Sequence, residues 1–464
     1  MGGFFRDVLD FVTDAASFLW GMPIVILTVL VAVVLTVKTK AFQFRYFGHA
    51  FKHTLGNITN KGTGKTGISP FRACCAALAS TIGTGNIVGV AVAITTGGPG
   101  ALFWMWMVAL FGMIVKYGEI VVALKYREKD PLTGGYIGGM PQVAKNGLTK
   151  RWAWLGTAWA FMNLISMAYG VSVHSNGITT SVITAFDVSP VLIGVILVII
   201  TGAVVYGGFK RISAFAQMAV PFMALLYCGV GLYVIAVNAS AVPGALAMVF
   251  ECAFTGHAAV GGFAGATVAK ALSTGMARGV FSNEAGTGFG SISHSNADVD
   301  HPVKQGLWGI VEVFVDTIVV CTMTGLVILV SGAWTGDVTS SALTAVAFST
   351  GMGGNLKAAT VFITVVLFLF AFTTIVVNIY YGEVSLARFI NTKPTKNIYR
   401  LIGLFFVFVG CIGAVTDLYA VNDFIAAFLN IFCLTILFLK RKDIWELTQD
   451  YIEKYGKKQK VKGE

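Results

Sequence analysis

The chain has 464 residues, of which 56% are hydrophobic and only 12% are charged, whereas soluble domains carry about 25% charged residues. The formal net charge is +11, but the lysines and arginines lie in short stretches between apolar runs. This composition excludes a soluble multidomain enzyme, a disordered scaffold and a nucleic-acid-binding module. It predicts a single all-α membrane domain.

Eleven apolar stretches are long enough to cross a bilayer as helices, which takes about 20 residues each. They cover approximately residues 21–37, 71–95, 101–124, 152–186, 190–207, 212–237, 245–284, 303–331, 357–381, 398–415 and 418–439. An amphipathic segment (1–20) precedes the first span, and a basic loop (38–70) follows it. A basic tail (440–464) follows the last span. We therefore expect an integral membrane protein with eleven transmembrane helices and no aqueous domain.

The loops between these spans differ in charge. Lysine and arginine concentrate in the segments after spans 1, 3, 5, 9 and 11, whereas residues 96–100, 187–189, 238–244 and 416–417 contain neither. Because basic loops remain in the cytoplasm, every odd-numbered span is expected to run inward. This orientation predicts a multi-pass cell-membrane protein with its N-terminus outside and its C-terminus in the cytoplasm.

Span 2 contains the sequence Gly83-Thr84-Gly85, followed by Asn86. Glycine costs about 1 kcal/mol relative to alanine inside a helix, and freed backbone groups are tolerated in a membrane only where they are buried or line a cavity. We expect a helix break whose free carbonyls bind a cation and whose following amides bind a carboxylate. The alternative is a close helix–helix contact between small residues.

Span 7 repeats this composition, because residues 257–267 place three glycines, one of them Gly261, around Phe263. Spans 2 and 7 are five apart and therefore run in opposite directions. With the first span set aside, residues 71–237 and 245–439 become two five-helix halves of inverted topology. A broken first helix in each half predicts a substrate site between the two repeats.

Two adjacent hydroxyl side chains, Thr373 and Thr374, lie in the otherwise apolar span 9. Hydroxyls in a helix often bond only to the carbonyl one turn back. Combined with free carbonyls from span 2, however, they form a neutral set of oxygen ligands of the kind that hard cations accept. Both interpretations remain open from the sequence.

Several charged residues also lie within the spans. Asp316, near the middle of span 8, is expected to be an ion ligand, a proton acceptor or a neutral hydrogen-bonding group between helices. Arg278 and Glu284 are expected at the cytoplasmic end of span 7, either as an inner-gate ion pair or as interfacial anchors. Five others lie nearer to span ends and are expected to reach the membrane surface: Lys116, Glu119, Glu251, Lys270 and Glu312.

Together, several motifs resemble the alanine-or-glycine:cation symporter family. They are Pro70-Phe71-Arg72 and the stretches 81–91, 97–106, 278–286, 301–306 and 380–383. The resemblance implies a LeuT-type fold, with five plus five inverted helices after one extra N-terminal helix. It also implies uptake of a small neutral amino acid coupled to sodium, so the expected partners are an amino acid, Na+ and the lipid bilayer.

The resemblance also implies roles for individual positions. The substrate carboxylate would meet the amides around Thr84 and Gly85, so the implied substrate site comprises Ile82, Gly83, Thr84, Gly85, Asn86, His174, Gly261 and Phe263. Sodium would take the carbonyl oxygens of Ala79 and Ile82 and the hydroxyls of Thr373 and Thr374. Thr81 and Asn86 are implied as polar wall residues or ligands of a second ion.

The chain departs from the family pattern in span 4, where the family usually has Asn at the position of Val171 and Gln at the position of His174. His174 is expected to bind substrate or to make transport pH-dependent, because imidazole titrates near neutral pH. Alternatively, it is a satisfied histidine between helices. Residues 134–139 also depart from the family pattern, and we assign no function to this difference.

Three other functions compete with sodium symport. A proton-coupled carrier on the same fold would use Asp316 or His174. A channel would need a continuous polar pore, which helices broken by glycine do not favour. The sequence contains no H-E-x-x-H motif, no G-x-S-x-G motif and no paired catalytic carboxylates, so an intramembrane enzyme is not expected. No feature indicates a nucleic acid or an obligatory protein partner.

Overall fold

A computed structural model of the chain describes residues 2–59, 62, 67–255, 267–336, 338, 340–413 and 416–456. In these residues the chain is almost entirely helical, with one short antiparallel hairpin of β1 (Glu128–Lys129) and β2 (Tyr136–Ile137). The helices up to the hairpin are α1 (Gly2–Trp20), α2 (Met22–Lys38), α3 (Phe42–Arg45), α4 (Phe47–His53), α5 (Pro70–Thr81), α6 (Val90–Gly97) and α7 (Gly100–Tyr126).

The helices after the hairpin make up the larger part of the structure. They are α8 (Met140–Gly147), α9 (Trp154–Phe186), α10 (Pro190–Val205), α11 (Gly208–Val237), α12 (Val242–Thr255), α13 (Val268–Asn283), α14 (Phe289–His294), α15 (Pro302–Val313), α16 (Thr322–Ser331), α17 (Ser340–Gly351), α18 (Leu356–Leu386), α19 (Lys393–Ile412), α20 (Thr416–Leu439) and α21 (Arg441–Tyr451). A π-helical segment, Phe314–Cys321, joins α15 to α16. The predicted helical fold class is thus correct.

Seven helices in the described residues are long and apolar enough to cross a membrane, or eight if α5 and α6 count as one bent span. Apolar side chains point outward on these helices; for example, Leu225 on α11 is 74% exposed and Phe405 on α19 is 61% exposed. Outward apolar surface of this kind is lipid-facing. The protein is therefore a multi-pass membrane protein.

Fewer than eleven of the described helices meet the length and composition expected of a membrane span. Helix α9 has 33 residues but is too polar along its length, because small and polar side chains such as Asn163, Ser166 and Ser172 are buried along it. Helix α10 is short, with 16 residues. The predicted span 245–284 is divided between α12 and α13. Eleven crossings therefore stay a prediction.

The predicted break in the second span is confirmed. Helix α5 ends at Thr81, and Ile82 takes an extended conformation with ψ of 91°. The chain re-enters a helix through a π-helical turn at Gly85–Gly89 and continues as α6. The axes of the two halves differ by 52°, so peptide groups near Gly83 are freed from regular helical bonding.

A second break separates α13 from α14, at residues 284–288. Glu284, Gly286 and Gly288 have φ angles of +53°, +95° and +85°, a region that favours glycine and is strained for glutamate. The predicted break at 257–267 falls almost wholly on residues 256–266, so Gly261 and Phe263 lie outside the described residues. The described break lies about two dozen residues further along the chain.

The two breaks face each other. A Cβ atom added at Gly85 would lie 3.3 Å from both the ring of Phe281 and the backbone of Ser282, so glycine permits this close approach of α13. Helices α9 and α18, which pack along each other, form the opposite wall. The breaks and these two long helices together enclose the centre of the protein.

The basic segments lie together at one end of the bundle. Lys396, at the start of α19, lies 3.3 Å from Asp130 in the β1–β2 hairpin. Helix α21 returns to α7, where Asp443 pairs with Lys125 at 2.7 Å and with Lys440 at 2.5 Å. Partial burial alone would raise the pKa of Asp443, but hydrogen bonds from the two ammonium groups hold it below its usual value.

Candidate functional site

A cavity of about 70 Å³ lies between the two breaks. It is lined by Ser80, Thr81, Gly83, Thr84 and Gly85 of the first break, by Phe281, Glu284, Thr287 and Phe289 around the second, and by Met167, Gly170, Val173, His174, Asn378, Asn422, Ala426 and Trp20. A water needs about 10–15 Å³ by this kind of measure. The cavity therefore has room for a few water-sized groups, the size of a small zwitterion.

At the first break, the peptide groups are held by neutral partners. The amide of Gly83 donates to the side-chain oxygen of Asn86 at 2.9 Å. A Cβ atom at Gly83 would lie 3.0 Å from the hydroxyl oxygen of Thr374, so only glycine leaves this space open. The hydroxyl of Thr84 lies 3.5 Å from Nδ1 of His174. The structure thus brings Gly83, Thr84 and His174 together at the cavity.

One of the two predicted hydroxyls of span 9, that of Thr374, reaches the first break. The hydroxyl of Thr374 lies 3.1 Å from the carbonyl oxygen of Ala79, and those of Thr373 and Thr374 lie 2.8 and 2.9 Å from the carbonyl oxygen of Phe370. Thr373 therefore makes the bond one turn back, while Thr374 also crosses to α5. The carbonyl of Phe370 joins this oxygen set, which sequence analysis did not foresee; Ile82, fully buried, begins the break beside it.

A second polar cluster joins the first break to the π-helical segment. Asn86 Nδ2 donates to Asp316 Oδ1 at 2.7 Å, and Asp316 Oδ2 accepts from the hydroxyls of Ser282 and Thr317 at 2.8 and 2.9 Å. Three donors thus satisfy the Asp316 carboxylate. Thr81 is placed elsewhere, because its hydroxyl lies 3.4 Å from the carbonyl oxygen of Leu78 on its own helix. The structure does not bring Thr81 and Asn86 into one contact.

Glu284 lies directly after the end of α13, as the predicted span end requires, but it also faces the cavity. Its carboxylate accepts from the Ser80 hydroxyl of α5 at 3.0 Å. Arg278 lies a turn and a half earlier, with its guanidinium carbon 5.9 Å from the ring centre of Phe281. These two described side chains form no ion pair with each other. An inner gate made by the pair is therefore not observed.

Sequence analysis missed a buried ionic cluster beside the second break. Lys116, Glu119 and Glu312 were expected to reach the membrane surface, but all three are 0% exposed. Lys116 and Glu119 are three residues apart on one face of α7, and Glu312 on α15 lies 3.2 Å from the Lys116 ammonium. That i, i+3 spacing of opposite charges is the one sequence signal that could have found the cluster.

Trp20 was also missed. It ends α1, outside the helices expected to form the site, yet its ring lines the cavity and its Nε1 donates to the carbonyl oxygen of Asp423 on α20 at 2.7 Å. The cavity is therefore closed partly by the N-terminal helix. Nothing in the spacing of the first 20 residues signals this contact, because it depends on how α1 packs against α20.

Sequence comparison gives clear relatives. The chain is 39% identical over 422 residues to the sodium/alanine symporter AgcS of Methanococcus maripaludis, covering 89% of each chain. It is 34% identical to the probable sodium/glutamine symporter GlnT of Bacillus subtilis, covering 96% and 91%. It is 33% identical to the putative sodium/proton-dependent alanine carrier protein YrbD of the same organism, covering 92% and 90%.

The helical fold of the protein is similar to that of solved transporter structures. The protein resembles the structure of MhsT in complex with L-phenylalanine, with a TM-score of 0.58 and 15% identity, covering 82% of this chain and 89% of that one. This likeness supports a LeuT-like arrangement of the helices. The model of the sodium:alanine symporter family matches residues 6–463. The chain therefore belongs to the sodium:alanine symporter family, a family of membrane transporters.

Proposed function

We propose that this protein couples sodium entry to uptake of a small neutral amino acid by alternating access. The observation that carries the proposal is the small cavity between two helix breaks, with the Thr374 hydroxyl of a third helix reaching the first break. The names of the relatives AgcS and YrbD support alanine, and that of GlnT supports a larger neutral side chain. The cavity of about 70 Å³ favours the smaller one.

The substrate carboxylate binds at the start of the second half-helix, near Thr84 and Gly85, where free amides and the positive end of the helix dipole favour an anion. The ammonium group lies toward the side chains that accept hydrogen bonds, Glu284 and Asn378, which also line the cavity. His174 lies beside Thr84 in the cavity wall and limits the substrate side chain. Gly261 and Phe263 remain proposed cover residues outside the described part of the chain.

Sodium binds between α5 and α18. Its proposed ligands are the carbonyl oxygens of Ala79, Ile82 and Phe370 and the hydroxyls of Thr373 and Thr374, a neutral oxygen set that suits a hard monovalent cation. A bound ion would replace the Thr374 hydrogen bond to Ala79 and tie the two helices together. Thr81 and Asn86 stay proposed as wall residues or ligands of a second ion.

The membrane arrangement follows from the same proposal. Eleven helices cross the cell membrane, with an extra first helix and two inverted halves within residues 71–237 and 245–439. The predicted span 245–284 forms two separate helices, α12 and α13, which supports a broken first helix in the second half. Convergence of the basic segments on one end supports a cytoplasmic C-terminus and an external N-terminus.

The test is uptake of labelled alanine by purified protein in liposomes, with an inward sodium gradient or with choline at the same pH. The proposal predicts accumulation with sodium and none with choline. Accumulation in choline driven by a proton gradient would favour the proton-coupled alternative, with Asp316 or His174 as the protonated group. Flux that is never concentrative with either gradient would contradict symport altogether.

The preferred amino acid is identified by thermal unfolding of the purified protein with each of the twenty amino acids, in sodium and in choline. A ligand that binds the folded state stabilises it by RT ln(1 + [L]/Kd). We expect the largest sodium-dependent stabilisation from alanine or glycine. Equal stabilisation by large and small neutral amino acids would contradict the size limit set by the cavity.

A further inference from the structure

Four buried ionisable side chains lie together behind the second break, outside the cavity. They are Lys116 and Glu119 on α7, His294 on α14 and Glu312 on α15, each 0% exposed. Glu312 stands between two of them, with Oε1 at 3.2 Å from the Lys116 ammonium and Oε2 at 2.9 Å from His294 Nε2. Since burial of uncompensated charge is strongly unfavourable, the charges in this cluster must be close to balanced.

His294 is neutral in this arrangement. The Nε2 atom of Gln305 lies 3.1 Å from the carbonyl oxygen of Pro70 and 2.7 Å from Nδ1 of His294. The Pro70 carbonyl can only accept, so it fixes the amide with its NH2 group toward both partners. Nδ1 of His294 must then accept, which leaves a single ring proton on Nε2, donated to Glu312.

The positive charge of Lys116 is therefore balanced by the negative charge of Glu312. The Oε1 atom of Glu119 accepts from the Gly286 amide at 2.5 Å. The Gly288 amide and the Cys433 thiol also lie near this carboxyl group, but Oε2 is buried with no partner at hydrogen-bond geometry. No second lysine or arginine of the described residues forms an ion pair with Glu119 or Glu312. An ionised Glu119 would thus be a buried carboxylate with one oxygen unsatisfied and no counterion of its own.

We propose that Glu119 holds an exchangeable proton, so that the cluster behind the second break is a proton-binding site. The proton lies on the unpartnered Oε2, which makes the group neutral while Oε1 still accepts from Gly286. Charged or titratable groups that face Glu119 are Lys116 on its own helix, Glu312 on α15 and Cys433 on α20, with Glu284 two residues before Gly286 in the break. Asp316 and His294 are the other ionisable side chains near Lys116 and Glu312.

The site is connected to the substrate cavity, and this step rests on the proposed function. Gly286, held by Glu119, and Glu284, which lines the cavity, belong to the same break. When the break opens to water, the proton leaves Glu119 as hydronium or to buffer, and the carboxylate that remains is hydrated. Alkaline pH therefore favours the opened break and acidic pH the closed form, which makes transport pH-dependent.

The test is infrared spectroscopy of the purified protein, without substrate or sodium, in H2O and D2O. The wild type is expected to show the carbonyl stretch of a protonated carboxylic acid at neutral pH, and Glu119→Gln is expected to reduce that band. Glutamine keeps the size of the side chain and the acceptor for Gly286. The matched control, Glu446→Gln, replaces an exposed glutamate on α21 and should leave the band unchanged.

Two outcomes would overturn the proposal. The first is the absence of this band in the wild-type protein at neutral pH, a measurement that does not depend on the folding of any variant. The second is a Glu119→Gln protein that shows the full wild-type band. Neither depends on transport, so failure of the proposed function would be seen separately in the uptake assay. In that assay, uptake by the wild type should change severalfold from mildly acidic to mildly alkaline pH. Glu119→Gln should flatten this profile, and an unflattened profile would contradict the link to the break.

Discussion

The two helix breaks satisfy their free backbone groups in different ways. At the first break, neutral groups hold the backbone: Asn86 accepts from the Gly83 amide and the Thr374 hydroxyl donates to the Ala79 carbonyl. At the second break, a carboxyl group joins such neutral partners: Glu119 accepts from the Gly286 amide, and Asn283 Oδ1 accepts from the Ala285 amide.

This difference indicates which break is suited to bind ligands and which is suited to remain in place. Neutral hydrogen bonds contribute only about 0.5–1.5 kcal/mol net, so sodium and a zwitterion can replace them at the first break. Breaking a buried ion pair by removing one partner costs about 3–5 kcal/mol, so the cluster around Lys116 and Glu312 holds the second break in place. We therefore propose that the first break binds the substrate and the ion, and that the second break controls access to them.

The largest effect is expected from removing the hydroxyls at the first break. Thr373→Ala combined with Thr374→Ala should abolish sodium-dependent uptake, because two of the proposed ion ligands are lost together. The control is Thr184→Ala, whose hydroxyl is exposed and bonds only to the carbonyl one turn back. Uptake by the double variant that keeps its sodium dependence would remove the ion site from this position.

The next effect concerns the second break. Lys116→Met should lower the free energy of unfolding by about 3–5 kcal/mol, because Glu312 then remains buried without its cation. Lys442→Met, which removes an exposed pair with Glu446 at 3.6 Å, should cost no more than about 1 kcal/mol.

Denaturant or thermal unfolding in detergent measures both variants. Adding Glu312→Gln to Lys116→Met should recover part of the loss, since glutamine is neutral and still accepts from His294. If the two lysine variants were equally stable, the cluster would not hold the second break.

A smaller effect, on sodium binding, is expected to differ between substitutions of two glycines in the same segment. Gly83→Ala should weaken sodium binding about tenfold, equivalent to about 1.4 kcal/mol, because the new methyl group would lie 3.0 Å from the Thr374 hydroxyl oxygen. Gly89→Ala has no heavy atom within 4 Å of its new Cβ and should bind sodium normally. The sodium concentration for half-maximal uptake measures both, and equal values would contradict the close contact.

The smallest effect is expected at the cavity wall. His174→Gln introduces the residue that the family usually has there, and it keeps a hydrogen-bonding group near Thr84. We expect a change of about threefold or less in affinity for alanine, equivalent to well under 1.4 kcal/mol, and a larger change for longer amino acids. Competition against labelled alanine measures both; a complete loss of alanine binding would make His174 an essential ligand.

The sequence predicted the first break because its cause is local. Gly83 and Gly85 around a threonine are poor helix formers in any surroundings, and the hydroxyl of Thr374 does lie beside the break. The prediction did not reach the carbonyl of Phe370, because a backbone ligand carries no side-chain signal. The ion and the substrate were implied only by the resemblance to a family, and both remain proposals.

The second break could not be predicted in the same way. Its first residue, Glu284, adopts a positive φ that nothing in its residue type requires. The break predicted near Phe263 stays a separate prediction, because it lies outside the described residues. The burial of Lys116 and Glu119 depends on Glu312, almost two hundred residues away in the chain. A charge near a span end is expected at the surface until its counterion from another helix is known.

The central claim is that the first break binds the amino acid and the sodium ion together. Titration calorimetry of alanine into purified protein, at increasing sodium and constant ionic strength in choline, tests it most directly. The account predicts that alanine affinity rises with sodium in the wild type and is insensitive to sodium in the Thr373→Ala, Thr374→Ala protein. An alanine affinity that is the same with and without sodium in the wild type would contradict it.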